Sequence, residues 1–456
     1  MTKKRAVRVV ATGARLLVGV VIAVGCVAGA VAAVAFPWPG IAGEPAQVAV
    51  TPTAGDTTVV CTGEFRAVGR NALDAAQQMP AGTPGLTVDS NGPREQSELA
   101  VPELSDTAGP QKFVGSAEQG EAALVAGAES LALESEDLTG LAGSACREAR
   151  TESWLVGGSV ETGTNDLIIL SNPGDVTATA TLTVFGLTET STQTLVPAGT
   201  QLSVPLSSVA AGAQDPVVRI TAAGAPLRAT LQSSLIRTLD PSGIDLQDSA
   251  GTPSSEIAFA GVQVLAESAD TSLTVLRLMA TDQATEAHVS VRADGAEVEQ
   301  LSVPLEAGVP AAVSLDTLPP GVYSVEVDAD ASVTGAIRQS TGAGAGSDFA
   351  WMTPSPDLRG EVYVAIPDGP DPRIHLVNSS DSAASVALTP VSGGDGEELS
   401  IPAGGDAVID AEPGTVYSLA SDEAVHASVM ISGADALAGW PVWPGAAAQE
   451  PITVYP

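Results

Sequence analysis

Three histidines, three cysteines and 54 carboxylates are the groups in this chain that could carry chemistry. His288, His375 and His426 each fall inside an alternating apolar and polar run, which reads as a strand, so each is expected to be a solvated or half-buried strand residue. None belongs to an H-E-x-x-H pair that would grip zinc. There is no G-x-S-x-G elbow for a serine nucleophile and no phosphate-cradling G-x-x-x-x-G-K loop. Lys112 has Gly109 three residues before it, so no S-x-x-K exists there. Among 54 carboxylates, a pair at glycosidase separation discriminates nothing. The chain is therefore expected not to be an enzyme and to hold no cofactor. Calcium is the one ligand worth weighing, because hard cations want several carboxylate and carbonyl oxygens. Asp328 and Asp330, Asp368 and Asp371, and Asp395 with Glu397 and Glu398 read as turn carboxylates, and no complete EF-hand loop accompanies them.

Cys26 lies within an apolar run, which leaves Cys61 and Cys146 as the remaining thiols. They have one pairing available, and a disulfide between them is expected. A metal site would need more ligands, neither has a neighbouring histidine, and a redox motif would want C-x-x-C. The last chemistry-bearing group is aromatic. Trp351, Trp440 and Trp443 stand in Phe- and Pro-containing segments of a chain that is only 3% aromatic. They are expected to plug the ends of sandwiches. The alternative is an exposed platform on which a glycan ring would stack.

The elements that must position these groups begin with an anchor. Lys3, Lys4, Arg5, Arg8 and Arg15 precede an uncharged apolar run from Leu16 to Phe36, and the first acidic residue is Glu44. At 1.5 Å per residue such a helix reaches about 30 Å, the thickness of a hydrocarbon core. The basic cluster predicts a cytoplasmic segment over 1–15, a transmembrane helix over 16–36 and export of the rest. Two alternatives remain open. Ala33-Val34-Ala35 fits a signal-peptide cleavage site, and Ala23-Val24-Gly25-Cys26 resembles a lipoprotein signal. The exported part carries 14 basic against 54 acidic residues, a net charge of −40. Such a surface repels phosphate backbones, so nucleic acid is not an expected partner, and it keeps the protein soluble. Apolar residues make up 44%, enough for folded domains with small aliphatic cores.

From Trp154 onward the chain repeats an order of features. Apolar strands at Leu167–Asn172, Thr274–Leu278 and Ile374–Asn378 are followed by alternating strands at Ala178–Val184, Ala287–Val291 and Ala384–Leu388. Prolines at 197, 304 and 402 come next, and a strand pair closes each unit. Period-2 alternation with turn residues between runs predicts a mainly β protein, in which tandem immunoglobulin-like β-sandwich units follow the anchor. The units are placed at 151–238, 257–340 and 361–456, the last including the C-terminal tail. Linkers are expected at Asp240–Ser255 and Thr341–Arg359, and a closed ring of three repeats is the alternative to separate beads. Residues 44–150 differ: a strand ends at Cys61, and an Ala-, Leu- and Glu-rich stretch predicts a helix near Glu118–Leu133. The disulfide is expected to tie this segment to the first sandwich.

The segment Cys146…Ser153-Trp154-Leu155-Val156-Gly157-Gly158, continuing to Leu170-Ser171-Asn172-Pro173-Gly174, resembles a domain-of-unknown-function family of actinobacterial envelope proteins. Leu182-Thr183-Val184-Phe185-Gly186, Val60-Cys61 and Asp348-Phe349-Ala350-Trp351 fit the same pattern, whereas Thr62-Gly63-Glu64 departs from the residues usual after the first cysteine. The resemblance covers most of positions 16 to 456. It implies a single-pass anchor, β-rich exported domains and no known catalytic residues, with members encoded beside a membrane glycosyltransferase. The resulting expectation is a non-catalytic, membrane-anchored extracytoplasmic scaffold or interaction protein of the cell envelope with an envelope protein partner. A glycan-binding module using Trp351, Trp440 and Trp443 is the alternative.

Overall fold

Alternation of side chains sets the architecture. In Thr285–Ala293, Ala287, Val289 and Val291 are fully buried while Glu286 and His288 face water, as a half-buried strand requires. The computed structural model describes residues 18–31, 48–50, 55–74, 76–104, 107–117, 122–266, 272–445 and 452–454. Two compact units emerge, Met1–Pro52 with Glu450–Pro456, and Thr53–Gln449.

In the first unit, residues 18–31 are helical, and Val48–Val50 pairs antiparallel with Ile452–Val454. The C-terminal tail is expected in the third sandwich, but its strand Ile452–Val454 belongs to this first unit instead. The basic segment and both ends of the apolar run lie outside the described residues. Among the described residues, no helix is long and apolar enough to cross a membrane.

The second unit is mainly β. Its second and third sandwiches share one plan of seven strands. In each, the sixth strand is long, Gly321–Ser340 and Thr415–Gly433, and serves two sheets. The early part of Gly321–Ser340 pairs with the first and third strands, Ser254–Val264 and Thr285–Ala293. The later part pairs with the second and seventh, Val275–Ala280 and Phe349–Met352. The third sandwich repeats this with Leu358–Ile366, Ala384–Pro390, Pro372–Val377 and Ala436–Pro441. In the first sandwich the long strand is cut into Val217–Ala223 and Arg228–Arg237. Pro226 between them lacks the amide a continuous strand would use. Gly224 has φ +94°, and a Cβ there would lie 2.6 Å from the Thr177 carbonyl oxygen, so only glycine fits the break.

The N-terminal segment is a fourth, reduced copy. Thr57–Val60, Gln111–Gly115 and Arg94–Glu98 form one sheet, and Gly85–Ser90, Val125–Glu134 and Thr139–Cys146 the other. Among the described residues the fourth and fifth strands of the plan are missing, and the hairpin Phe65–Val68 with Gln78–Gly82 is added. Several expectations are corrected here. The helix expected near Glu118–Leu133 is, in its described part, the strand Val125–Glu134. Its helix-forming composition yields to pairing on both sides, and Gly127 lies against Cys146. The disulfide joins the two sheets of this N-terminal unit rather than tying it to the first sandwich, because Cys146 ends that unit's own closing strand. The expected linkers also contain closing strands. Asp240–Asp248 pairs with Arg228–Arg237, and Phe349–Met352 pairs with Gly321–Ser340.

The four closing strands, Thr139–Cys146, Asp240–Asp248, Phe349–Met352 and Ala436–Pro441, pack side by side, so the N-terminal unit contacts both the first and the third sandwich. The units thus close on themselves as a cycle of four. Bonds across the seams follow this order. Arg228 pairs with Asp248 at 2.8 Å and donates to Thr62 Oγ1 of the N-terminal unit. Arg277 of the second sandwich donates to the carbonyls of Val156, Gly158 and Pro216 of the first. Ser428 Oγ donates to the Ala260 carbonyl, and Ser130 Oγ to that of Asp368.

Candidate functional site

Asp348, just before the closing strand of the second sandwich, occupies the centre of the junction. Its Oδ2 accepts the amides of Leu141 (2.7 Å) and Leu437 (2.9 Å), and its Oδ1 that of Ile244 (3.2 Å). These donors belong to the closing strands of the N-terminal unit, the third sandwich and the first. One carboxylate therefore collects amides from the other three units. Asp245 answers from the first sandwich, accepting the Trp351 amide at 2.9 Å. Asp166 accepts the Ser159 amide, also buried. Arg277 supplies a positive field at Asp166, and Arg338 one at Asp166 and Asp245.

Burial dominates their protonation. It pushes Asp166 and Asp348 each up to about 7, against the amide bonds that favour the charged form. Asp245 is driven well above the usual carboxylate range by burial, with the neighbouring Asp348 adding to it. Raised folded-state values mean that the folded protein holds more protons than the unfolded chain between about pH 4 and 7, so stability falls as pH rises through that window. His375 opposes this: it is buried, and desolvation with nearby Arg373 lowers it to about 4, so its share is lost as pH falls below its unfolded value. Three aspartates outweigh one histidine. The melting temperature is expected to be higher near pH 5 than near pH 8, and Asp166→Asn should flatten the slope. A melting temperature that climbs steadily with pH would contradict this assignment.

Cys61 and Cys146 are bonded, as expected, with Cα atoms 4.1 Å apart. The tryptophans divide. Trp351 (5% exposed) and Trp440 (2%) are buried, which removes both from a sugar-stacking platform. They plug the seams between units rather than the sandwich ends. Trp351 packs with Trp154, Phe185 and Phe349 between the first and second sandwiches, beneath the Arg277 guanidinium at 4.7 Å. Trp440 joins the third sandwich to Ala126, Ala128 and Leu141 of the N-terminal unit. A Cβ on Gly143 would approach its ring to 2.7 Å. Trp440→Ala is expected to lose about 3–5 kcal/mol in denaturant unfolding. A loss below about 1 kcal/mol would mean that the seam refills. Trp443 is half-buried, with the guanidinium carbons of Arg147 and Arg150 at 3.7 and 4.2 Å from its ring centroid.

The carboxylates weighed for calcium stay apart. Asp328 and Asp330 lie within the strand Gly321–Ser340 rather than on a turn. Among the described residues, no group of three His, Cys, Asp or Glu side chains could hold a metal ion. Two of the three histidines do converge. A groove of about 490 Å³ between the second and third sandwiches is lined by Glu256, His288, Glu326 and Asp328 on one side and by Asp357, Ser379 and His426 on the other. His426 Nδ1 lies 2.8 Å from the Ser355 carbonyl and so must donate to it; its Nε2 is 3.3 Å from Asp357. Ser379 Oγ donates to Glu326 at 2.6 Å. These groups can accept and donate hydrogen bonds to a ligand. The groove and the junction role of Asp348, a residue that stands out in the sequence only within a family pattern, are not legible there, because only the pairing of distant units assembles them.

Residues 101–411 match a family of unknown function, DUF5719. The search of curated proteins finds no match. Among solved structures, the FN1–FN3 domains of chicken CNTN1 align at 11% identity over 64% of this chain and 98% of that one, with a TM-score of 0.10. The family match covers more than half of the chain, and the protein belongs to the DUF5719 family.

Proposed function

We propose that this chain is a non-catalytic, membrane-anchored extracytoplasmic scaffold of the bacterial cell envelope that holds a protein partner, accessory to a membrane glycosyltransferase. The observation that carries the reading is the junction at Asp348. There a buried carboxyl group that could have served a reactive centre instead accepts amides from three other units and so joins four units. A braced multi-unit body suits a platform. The basic cluster before Leu16 supports the topology, with the N-terminus in the cytoplasm and the bulk outside. The net charge of −40 in the exported part supports an extracytoplasmic, soluble surface that does not engage nucleic acid. The glycosyltransferase link rests on the family resemblance.

Two measurements test this. A reporter active only outside the cytoplasm, fused after Pro456, is expected to be active; activity of a cytoplasmic reporter there would reverse the topology. Affinity purification from solubilised membranes is expected to recover a membrane glycosyltransferase in stoichiometric amount. Recovery of the chain alone under crosslinking would remove the scaffold reading. The mature N-terminus decides between anchor and signal: a chain starting near Phe36, or a lipidated Cys26, would replace the anchor.

A further inference from the structure

We infer that the groove between the second and third sandwiches binds an uncharged, polyhydroxylated chain, an oligosaccharide of several units. Its volume of about 490 Å³ falls in the range of ~300–1,000 Å³ usual for ligand sites. A second lobe of about 330 Å³ shares Glu256, Ile257, Asp357 and His426 with it and ends at Arg150 and Trp443. The cleft is thus elongated, which suits linked units rather than a single small molecule. Its walls come from separate units of the cycle, so ring closure forms it in advance of any ligand.

The chemistry of the walls selects the ligand. Carboxylates and serine hydroxyls dominate, with two imidazoles, and such groups match the alternating donors and acceptors of sugar hydroxyls. A phosphate, sulfate or uronate chain would meet Glu256, Glu326, Asp328 and Asp357 and be repelled. A strongly cationic peptide would find part of that charge already engaged, since Glu326 lies 3.3 Å from Arg292 and accepts from Ser379. Glu256 and Asp328, both exposed at the groove, are left to accept hydroxyl protons. At the far end the Trp443 indole N–H has no acceptor among the described residues. The inference stands whether or not the chain scaffolds an enzyme.

The test uses the full chain in lipid nanodiscs, free of sugar detergents. The probes are maltohexaose, a xylan hexamer and a mannan hexamer, with sulfated dextran and tetra-arginine as charged controls. Saturable binding of at least one neutral probe is expected. Glu256→Gln with Asp328→Asn should weaken it about tenfold or more, since each replaces a charged acceptor. Both sites are exposed, so the melting temperature should be unchanged, and Trp443→Phe should weaken binding of the hexamers without abolishing it. Absence of binding by all three neutral probes, binding that survives the double variant, or capture of tetra-arginine in their place would each overturn the inference.

Discussion

Asp348→Leu is expected to destabilise the protein by on the order of 5 kcal/mol, because it strands three buried amides at once. Leu141, Ile244 and Leu437 lose their acceptor together, and each unpaired buried amide costs about 1–3 kcal/mol. Relief from burying a carboxyl group offsets part of this. Asp348→Asn should cost less, since one oxygen remains to serve the Leu141 and Leu437 amides, although its NH2 then faces the Ile244 donor. The distinguishing readout is amide hydrogen exchange. Protection should fall at Leu141, Ile244 and Leu437 together, in three units remote from one another in sequence. A loss confined to one of the three would show that the junction is not a shared element.

That junction was the least legible part of the chain. Strands with clean alternation, such as Ala384–Pro390 with Val386 and Leu388 inward, declare themselves. So does the recurring order of three sandwiches. Closing strands do not. Asp240–Asp248 carries Asp245, Gln247 and Asp248 at fully buried positions, a pattern that reads as a polar linker because the partners of those side chains lie in other units. Phe349–Met352 is too short and too uniformly buried for a period to appear. The fourth unit was hidden for the opposite reason: Val125–Glu134 is rich in Ala, Leu and Glu, whose local preference for helix is overridden by strands on either side. The cysteines were legible because covalent chemistry left one partner for each. The groove was not, because His288 and His426 approach one cleft only after two sandwiches dock.

Cys146→Ser is the second large effect. The bond closes a sequence separation of 85 residues, for which the chain-entropy relation gives about 4–5 kcal/mol. Its small core of Val59, Cys61, Phe113 and Cys146 should loosen first. Because Thr139–Cys146 also packs against Ala436–Pro441, exchange protection is expected to fall in the closing strand of the third sandwich as well. Protection that drops only within residues 55–146 would mean that the units are joined less tightly than their contacts indicate. Two freely alkylated cysteines in protein purified under oxidising conditions would remove the bond itself.

The cycle of four has a consequence for the order in which the molecule can be made. A chain delivered N-terminus first presents Thr139–Cys146, then Asp240–Asp248, then Phe349–Met352, while the strand that completes the circuit, Ala436–Pro441, arrives last. Until then Trp351 has the apolar partners of its cluster, but Asp348 lacks the Leu437 amide and Leu141 faces no third sandwich. The contact that seals the body thus joins Thr139–Cys146 to Ala436–Pro441, strands far apart in sequence, and contacts of such separation form slowly. Each sandwich can fold as it emerges. The assembled body exists only once Ala436–Pro441 is in place, so a chain stalled just before it would hold three closing strands with no fourth to complete the circuit.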